Sequence, residues 1–424
     1  MQYDSKGGPY MAVQQIDKID YTLKSKDIPL IAFSLLKETE TTVITPNESY
    51  RLQINHIFTE NSRLFPKNLS NPADPTVLMN WIIKRKAPKN RQFINEIMSA
   101  IDDGRNPLKY IDVTYGLSLN DAFWISNNTQ QTWDACNLYK HPFDERLAYV
   151  AFTGYSHKVT GLITSPEFTS SGALKKCWRR NGSQIYLMKG DDFFPRTDGR
   201  SQATIEFYAA QVAAAMGFDH VDYDLSEFKH RNGKREIVCT CDLFTTEDVG
   251  FCSAATFFEK KGIHPQEEAL SNITVQRRLA EIFGKKEYAD VMLFDAVICN
   301  TDRHLGNFGY LVDNNTGDFI KPAPIFDNGL SLLYNAGSSD LEDVERYLDG
   351  PGSSGLFLSF DLAAELFTER RHIDALRKLT GFTFRKHPRY NIADATLKRM
   401  AQCVQIRAKK ILEIYRLREK HRSR

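Results

Sequence analysis

The sequence predicts a mixed α/β chain in which a β-rich lobe is followed by a helical lobe. Two Asn-Gly pairs, at 181–182 and 232–233, each join two β-prone runs in the middle third. Asn-Gly between such runs is the strongest short-range indicator of a hairpin. The last third instead carries apolar residues at helical spacing, most clearly over residues 394–417. These observations together predict a two-lobed α/β fold.

Composition narrows the class of protein without identifying it. The 424 residues are 42% hydrophobic and 25% charged, which is ordinary for a globular protein with room for two or three domains. The formal net charge of +2 does not indicate nucleic-acid binding, because binding depends on a local patch. No apolar run approaches the length of a membrane span. The seven cysteines lack metal-ligand spacing and the N-terminus lacks an apolar signal core, so we expect a reducing, cytoplasmic location.

The first third is interpreted as an accessory region, residues 1–155. Its predicted elements are two strands and two helices, at residues 28–36, 50–58, 75–83 and 90–101. The basic break at 84–89 can contact phosphates or form a solvated helix junction, and the pattern favours the junction. Ser118 is expected to open a helical turn that buries Phe123 and Trp124.

The middle third, residues 156–245, is predicted to be a nucleotide-binding lobe. A hydroxyl-rich loop at 165–176, with the sequence SPEFTSSGALKK, leads into the first hairpin, whose second strand ends at Lys189. A lysine in that position contacts nucleotide phosphates in a kinase-type lobe, although strand-terminal lysines often face solvent. The next helix carries Glu206 and ends at Gly217. Glu206 can pair with Lys189, or it can complement the helix dipole from the first turn.

The chain leaves this lobe through residues 241–244, which we interpret as the hinge between the lobes. A segment that crosses between lobes offers backbone groups to an adenine edge and an aromatic side chain to pack against it. Asp242 and Phe244 are therefore candidate nucleotide-binding residues.

Residues 246–424 are interpreted as a helical catalytic lobe. An apolar helix at 287–299 is predicted to deliver a loop with Asp302 and, five residues on, Asn307. A short hairpin at residues 308–321, turning at 314–317, then returns the chain to Asp327 in Phe-Asp-Asn-Gly. Phosphoryl transfer needs a carboxylate that orients the attacking hydroxyl and oxygen ligands that hold Mg²⁺. The order matches the protein-kinase layout, whereas each residue alone could be a loop cap or a turn residue.

The motifs TSSGALKK, IYLMKG, EFYAAQVAAAMG, NTDRHLGNFG and IFDNG, in this order, resemble the HipA-like serine/threonine kinase family over roughly residues 160–335. The resemblance implies a two-lobed kinase fold that uses ATP and Mg²⁺. Asp302 would be the catalytic base, Asn307 and Asp327 the Mg²⁺ ligands, and Lys189 a contact of the ATP phosphates. His304, inside the catalytic loop, would reach a phosphate or serve as a structural loop histidine.

The resemblance also assigns a role to the hydroxyl-rich loop. Its central residues would form the phosphate loop around the nucleotide: Thr169, Ser170, Ser171, Gly172 and Ala173. In this family the loop can carry an autophosphorylated hydroxyl that ejects it and inactivates the enzyme. Thr169 is the nearest match by position, and the two serines that follow are the other candidates.

The expected partner is a protein substrate with a Ser or Thr acceptor, and the family implies a toxin of a toxin–antitoxin system with an antitoxin partner. Residues 1–155 do not match the usual antitoxin-docking subdomain, and direct DNA binding is not expected without a partner. Two alternatives stay open. One is a lipid or small-molecule kinase of the phosphoinositide-kinase type. The other is a pseudokinase or transcriptional regulator that binds nucleotide without turnover.

Overall fold

The computed structural model of the protein describes residues 14–41, 46–99, 101, 106–155, 164–191, 196 and 198–423. The chain opens with an antiparallel sheet of three long strands and one short strand, in the order β3-β2-β1-β4. The strands are β1 (Gln14–Ser25), β2 (Ile28–Thr41), β3 (Pro46–Ile57) and β4 (Phe123–Ser126). The strands expected at 28–36 and 50–58 are confirmed and are longer than predicted, whereas β1 was not predicted.

Short helices cover this sheet and close the first core. They are α1 (Pro75–Lys84), α2 (Ile94–Met98), α3 (Ile111–Thr114) and α4 (Glu145–Thr153). Helix α1 begins where expected because Asp74 accepts from two backbone N–H groups of its first turn and Pro75 occupies its first position. Leu78 and Trp81 of α1 pack with Phe33 of β2 in a buried cluster.

Two expectations for this region are wrong. The helix expected at 90–101 shortens to α2, whose N-cap residue Phe93 has a left-handed φ of 61°. The turn expected after Ser118 is not helical, and the chain forms strand β4 instead. Trp124 is buried as predicted, and its Nε1–H donates to the Lys26 carbonyl at 2.6 Å, whereas Phe123 is only half-buried.

The second sheet contains the two hairpins predicted from the Asn-Gly turns, and both are confirmed. Its strands are β5 (Lys176–Asn181), β6 (Gln184–Lys189), β7 (Asp224–Lys229) and β8 (Arg235–Asp242), in the order β5-β6-β8-β7. Helix α5 (Gln202–Met216) is capped by Ser201 and ends at Gly217, which has a φ of 74°. Glu206 therefore lies in the second turn of α5, so the first-turn dipole interpretation of this residue is wrong.

The rest of the chain is mostly helical and surrounds a large apolar core. Its first elements are β9 (Val249–Ser253), α6 (Ala254–Lys260), α7 (Ile273–Phe283), α8 (Lys285–Ile298), β10 (Gly309–Asp313) and β11 (Phe319–Pro322). The last are α9 (Ser338–Glu342), α10 (Val344–Asp349), α11 (Phe360–Phe367), α12 (Ile373–Leu379) and α13 (Asp394–Arg422). The apolar helix and the β10–β11 hairpin are confirmed.

Helix α8 lies at the centre of this core, and α11 and α13 pack against it. All but two residues from Tyr288 to Ile298 are buried apolar side chains, as the sequence pattern predicted. The two exceptions are Asp290 and Asp295, and the buried Asp295 supports the site described below. In the described part of the chain no helix is both long and apolar enough to span a bilayer.

Candidate active site

One lysine joins the two lobes at the centre of the site. Lys189, the last residue of β6, lies 2.7 Å from Glu206 Oε1 on α5 and 2.5 Å from Asp327 Oδ1. The second oxygen of Glu206 accepts from the Asn328 backbone N–H at 2.7 Å. Glu206 is fully buried and Lys189 nearly so. Three residues from the predicted set therefore form one ion-pair network between the β-rich lobe and the helical lobe.

The charges in this network depend on each other because they are desolvated together. Burial alone would lower the pKa of Lys189, but the negative charges of Asp327 and Glu206 outweigh it and raise that pKa well above its ordinary value. Burial, with the negative charge of Asp327, raises the pKa of Glu206. Burial also opposes ionisation of Asp327, yet the positive charge of Lys189 holds the pKa of this carboxyl below its usual range. Lys189 and Asp327 are thus kept charged.

The loop after α8 holds Asp302 and Asn307 within one tight turn. The Asn307 side-chain amide donates to the Asp302 carbonyl at 3.0 Å, and its backbone N–H donates to the His304 carbonyl at 2.9 Å. Asn300 Oδ1 accepts from the Asp302 N–H at 3.1 Å. The loop is therefore closed by its own polar groups, with the Asp302 side chain half-buried at its start.

A buried ion pair that the sequence analysis missed fixes this loop to the Asp327 segment. Arg303 is fully buried, and its Nε lies 2.9 Å from Asp295 Oδ2 in α8. Its Nη1 donates to the carbonyls of Asn307, at 2.8 Å, and Phe326, at 2.7 Å. Its Nη2 donates to Asn328 Oδ1 at 2.6 Å. A charged residue inside the apolar run of α8 was the sequence feature that pointed to this pair.

Asp302 and His304 lie in different environments within the loop. Partial burial, together with the negative charge of Asp327, raises the pKa of Asp302, although His304 acts in the opposite direction. His304 is exposed, and its Nδ1 accepts from the Gly306 backbone N–H at 3.0 Å. That bond gives His304 a structural role in the turn and leaves its other ring nitrogen pointing away from this contact.

The phosphate loop presents its hydroxyl groups unequally. The Thr169 hydroxyl is buried and donates to the Leu117 carbonyl at 2.7 Å. The Ser170 hydroxyl donates to the Pro166 carbonyl at 2.7 Å and accepts from Trp178 Nε1 at 2.8 Å. In this conformation both hydroxyl groups are engaged in contacts that hold the loop in place.

The tip of the loop is more open. Ser171, Gly172 and Ala173 are exposed. Gly172 has a φ of 87°, a left-handed conformation that favours glycine. The Ser171 carbonyl accepts from Lys176 Nζ at 2.7 Å. Lys176 thus packs under the loop tip and shapes it.

Lys176 is a candidate site residue that the sequence analysis did not single out. It lies directly opposite Lys189 in the β5–β6 register. Desolvation and the positive charge of Lys189 lower the pKa of Lys176 to about 7, against the opposing charge of Asp327. Two lysines thus lie side by side near Asp327, and at neutral pH Lys189 is fully charged whereas Lys176 is only partly so.

Arg91 from the N-terminal region holds the phosphate loop through hydrogen bonds to its backbone. Its guanidinium is buried and donates to three loop carbonyls, those of Glu167 at 2.8 Å, Ser170 at 3.2 Å and Lys176 at 3.0 Å. Burial lowers the pKa of Arg91, although the charge of Glu167 opposes the shift. The sequence pattern predicts a helix over residues 90–101 and gives Arg91 no distinguishing feature.

Neighbouring residues extend this contact along the loop. The Gln92 backbone N–H donates to the Ala173 carbonyl at 2.8 Å, and Gln92 Oε1 accepts from the Lys175 N–H at 2.7 Å. The Ala87 N–H donates to the Phe168 carbonyl at 2.7 Å. The accessory region is therefore part of the phosphate-loop structure.

The two proposed hinge residues lie in different surroundings. Phe244 is half-buried, and its ring packs against those of Phe251, at 5.8 Å, and Phe326, at 5.5 Å. Since Phe326 directly precedes Asp327, Phe244 belongs to the wall of the site. Asp242 is exposed at the end of β8 and accepts from Gln184 Nε2 at 2.7 Å, a contact along the sheet. The described contacts do not bring the Asp242 carboxylate to the Lys189 network.

The side chains present fit a Mg²⁺ ion that is shared with phosphate groups. The side-chain N–H of Asn307 donates to the Asp302 carbonyl. Its Oδ1 therefore remains available as a ligand for the metal ion. The Asp327 side chain is 36% exposed, and the backbone of this residue has a left-handed φ of 59°. Among the described residues no group of three His, Cys, Asp or Glu side chains could hold a metal unaided. Two oxygen ligands completed by phosphate oxygens are typical of Mg²⁺ in nucleotide sites.

A lysine–glutamate pair, an Asp-x4-Asn loop and a following Asp are the features of a kinase-type nucleotide site. Comparison with known proteins agrees with this class. A profile of the HipA-like C-terminal domain matches residues 152–405, well over half of the chain. The protein belongs to the HipA-like family, which supports a kinase, and the resemblance and two-lobed α/β fold inferred from sequence are confirmed.

A solved structure that this chain partly matches is the crystal structure of the Helicobacter pylori proinflammatory kinase CtkA. The two share 17% sequence identity, with a TM-score of 0.44, over 60% of this chain and 94% of that one. The search of curated proteins gave no significant match.

Proposed function

We propose that the protein is an ATP-dependent serine/threonine protein kinase of the HipA-like type. Residues 156–245 would form its nucleotide lobe, residues 246–424 its catalytic lobe, and residues 1–155 an accessory region. The boundary after residue 155 adjoins residues 156–163, which lie outside the described residues. The observation that carries the proposal is the sharing of Lys189 between Glu206 and Asp327.

The proposed reaction is mainly positioning and charge neutralisation. Lys189, oriented by Glu206, would bind phosphate oxygens of ATP in place of its present contact with Asp327. Asn307 and Asp327 would hold Mg²⁺, which would supply positive charge to neutralise the phosphate groups. Asp302 would accept the proton of the acceptor hydroxyl, and its raised pKa suits a base nearer to neutral pH.

The phosphate loop is proposed to bind the nucleotide and to regulate the activity of the kinase. Gly172 and the exposed backbone around it would approach the phosphates, with Ser171 and Ala173 on either side. A phosphate on Thr169, Ser170 or Ser171 would add negative charge where the loop must receive the nucleotide. Self-inactivation by such autophosphorylation, and a role as the toxin of a toxin–antitoxin pair, complete the proposal in line with the family.

The test is intact-mass analysis after incubation with Mg²⁺ and ATP, beside the variants Asp302→Asn and Asp327→Asn. We expect the wild type to gain about 80 Da for each phosphate, and both variants to remain unmodified. Asp374→Asn, an exposed carboxylate on α12, is the matched control and should behave as the wild type. Absence of both nucleotide binding and phosphate transfer in the wild type would refute the kinase proposal.

A further inference from the structure

A cavity of about 430 Å³ lies between the N-terminal region and the catalytic lobe. One wall comes from the N-terminal region, including Lys67 and Lys84, and the facing wall comes from β9 and the β10–β11 hairpin. Ser171 of the phosphate loop and Gly306 of the catalytic loop also line it. Its volume falls within the range of ligand-binding pockets, roughly 300–1,000 Å³.

The lining carries one more cationic than anionic side chain, with Lys67, Lys84 and Arg85 against Asp121 and Asp313. Of its two carboxylates, Asp121 is paired with Arg85 in a two-pronged contact of 2.8 and 2.9 Å. Asp313 already accepts from the backbone N–H groups of the β10–β11 turn. Lys67 and Lys84 have no ion pair with a described carboxylate.

Lys67 is the more constrained of the two lysines. Its Nζ donates to the Arg63 carbonyl at 3.0 Å, and the side chain is half-buried against the β10–β11 turn. Partial burial and the positive charge of Lys260 lower the pKa of Lys67. A partly desolvated lysine among other cations is stabilised by an anion that enters the cavity.

The position of the cavity indicates which molecule would enter it. Ser171 and Gly306 belong to the two loops between which an acceptor hydroxyl must reach the transferred phosphate, and Gly306 lies four residues after Asp302. We propose that this cavity is the docking site for the acceptor, and that it selects a protein segment with acidic residues beside the phosphorylated Ser or Thr. The inference rests on the proposed kinase function and adds its substrate class.

A peptide fits the site better than a nucleic acid does. The cationic side chains line a cleft between two walls, whereas nucleic-acid binding uses a broad basic surface. Ser118, Ser253 and Thr256 also line the cavity, and they offer hydroxyl groups to a peptide backbone.

The experiment measures binding of fluorescent peptides to the full chain by anisotropy, without nucleotide. Three peptides share a single serine and differ in whether glutamate, glutamine or lysine flanks it. We expect the glutamate peptide to bind about tenfold more tightly than the glutamine peptide, with the lysine peptide weakest. The double variant Lys67→Glu/Lys84→Glu should weaken glutamate-peptide binding about tenfold and favour the lysine peptide.

The matched control is Lys229→Glu/Lys234→Glu, which reverses two exposed lysines at the β7–β8 hairpin and should change nothing. Equal binding of the three peptides, or an unchanged preference in the Lys67/Lys84 variant, would overturn the inference. So would lysine-dependent binding of a single-stranded RNA oligonucleotide without binding of the glutamate peptide. ATP binding and phosphate transfer are measured on the same protein, and their loss in the wild type would count against the kinase function alone.

Discussion

The buried guanidinium of Arg91 donates to the backbone carbonyl of Lys176 at 3.0 Å, across 85 residues of sequence. With its bonds to the Glu167 and Ser170 carbonyls, it ties both ends of the phosphate loop to the N-terminal region. The loop conformation that a nucleotide would meet is therefore set from outside the residues that would contact it.

We predict that Arg91→Ala raises the KM for ATP about tenfold, equivalent to about 1.4 kcal/mol, with a smaller effect on kcat. The reason is that three loop carbonyls lose a charged donor, so the loop must be ordered by the nucleotide. Hydrogen exchange over residues 165–176 should become faster in the same variant.

Arg63→Ala removes an exposed arginine of the same region and is the control for this experiment. A loss of kcat with an unchanged KM in Arg91→Ala would contradict a positioning role for Arg91.

The Lys189 network gives a second prediction, on stability. Lys189→Met leaves two carboxylates without their shared cation and should lower the free energy of unfolding by about 3 kcal/mol. Adding Glu206→Gln removes one buried charge and should recover part of that loss, while phosphate transfer stays absent. Denaturant titration of the two variants measures both effects.

Lys229→Met, at the exposed end of β7, should leave the free energy of unfolding within about 0.5 kcal/mol of the wild type. If the double variant were less stable than Lys189→Met, the uncompensated charge of Glu206 would not be a source of the stability loss.

These residues show how far the sequence determines the site. The proximity of Lys189 and Glu206 could be proposed because Lys189 ends a hairpin and Glu206 lies in a capped helix 17 residues later, and both elements have local sequence indicators. The loop from Asp302 to Asn307 and the hairpin that returns to Asp327 could be placed for the same reason. Their proposed catalytic roles remain predictions.

Contacts between distant segments could not be predicted in this way. Arg91 has no local feature in the sequence that distinguishes it from the basic residues before it, and its partners in the loop are distant along the chain. Lys176 and Lys189 become neighbours only through the β5–β6 register. Strand β1 was missed because Ile16 and Ile19, three residues apart, fall on opposite faces of the strand and are both exposed, which obscures the alternation.

The lowered pKa of Lys176 predicts a pH dependence. With a pKa of about 7, Lys176 is charged below neutrality and loses its proton as the pH rises. If it supports phosphate binding, kcat/KM for ATP should fall as the pH increases through about 7. Arginine stays protonated throughout this range, so Lys176→Arg should remove this alkaline limb.

The measurement is kcat/KM for ATP from about pH 6 to 9, since this parameter reports the free enzyme. Lys175→Arg, at the neighbouring position with its ion pair to Glu236, should keep the wild-type profile. An identical alkaline limb in Lys176→Arg would assign the titration to another group.

The unequal exposure of the loop hydroxyls predicts an order of autophosphorylation. Thr169 is buried and bonded to Leu117, whereas Ser171 is exposed at the loop tip. In the conformation seen here we expect Ser171 to be modified first, and Thr169 only after the loop leaves its place. Arg91→Ala, which loosens the loop, should raise the share of phosphate on Thr169.

Peptide mapping of the phosphorylated chain over time measures this order. Arg63→Ala again serves as the control and should leave it unchanged. Early phosphate on Thr169 in the wild type, at a rate that Arg91→Ala does not change, would contradict this order. It would show that the Arg91 contacts do not limit access to Thr169.

The thiols of the protein differ sharply in acidity, and this difference gives the last prediction. A hydrogen bond from Cys403 lowers the pKa of Cys299, with support from the positive charge of Arg407 and against the effect of burial. Burial raises the pKa of Cys241 to about 12. Both side chains are half-buried, and Cys299 also lines a cavity of about 650 Å³ next to the catalytic loop.

We therefore expect iodoacetamide at neutral pH to alkylate Cys299 well before Cys241, because the thiolate is the reactive form. Cys403→Ala removes the stabilising hydrogen bond and should slow the alkylation of Cys299, while Cys241 reacts as before. Mass spectrometry of peptides quenched at successive times measures both rates. Equal rates at Cys299 and Cys241 would show that solvent access, and not thiol acidity, controls the reaction. Cys299 could then not be labelled selectively.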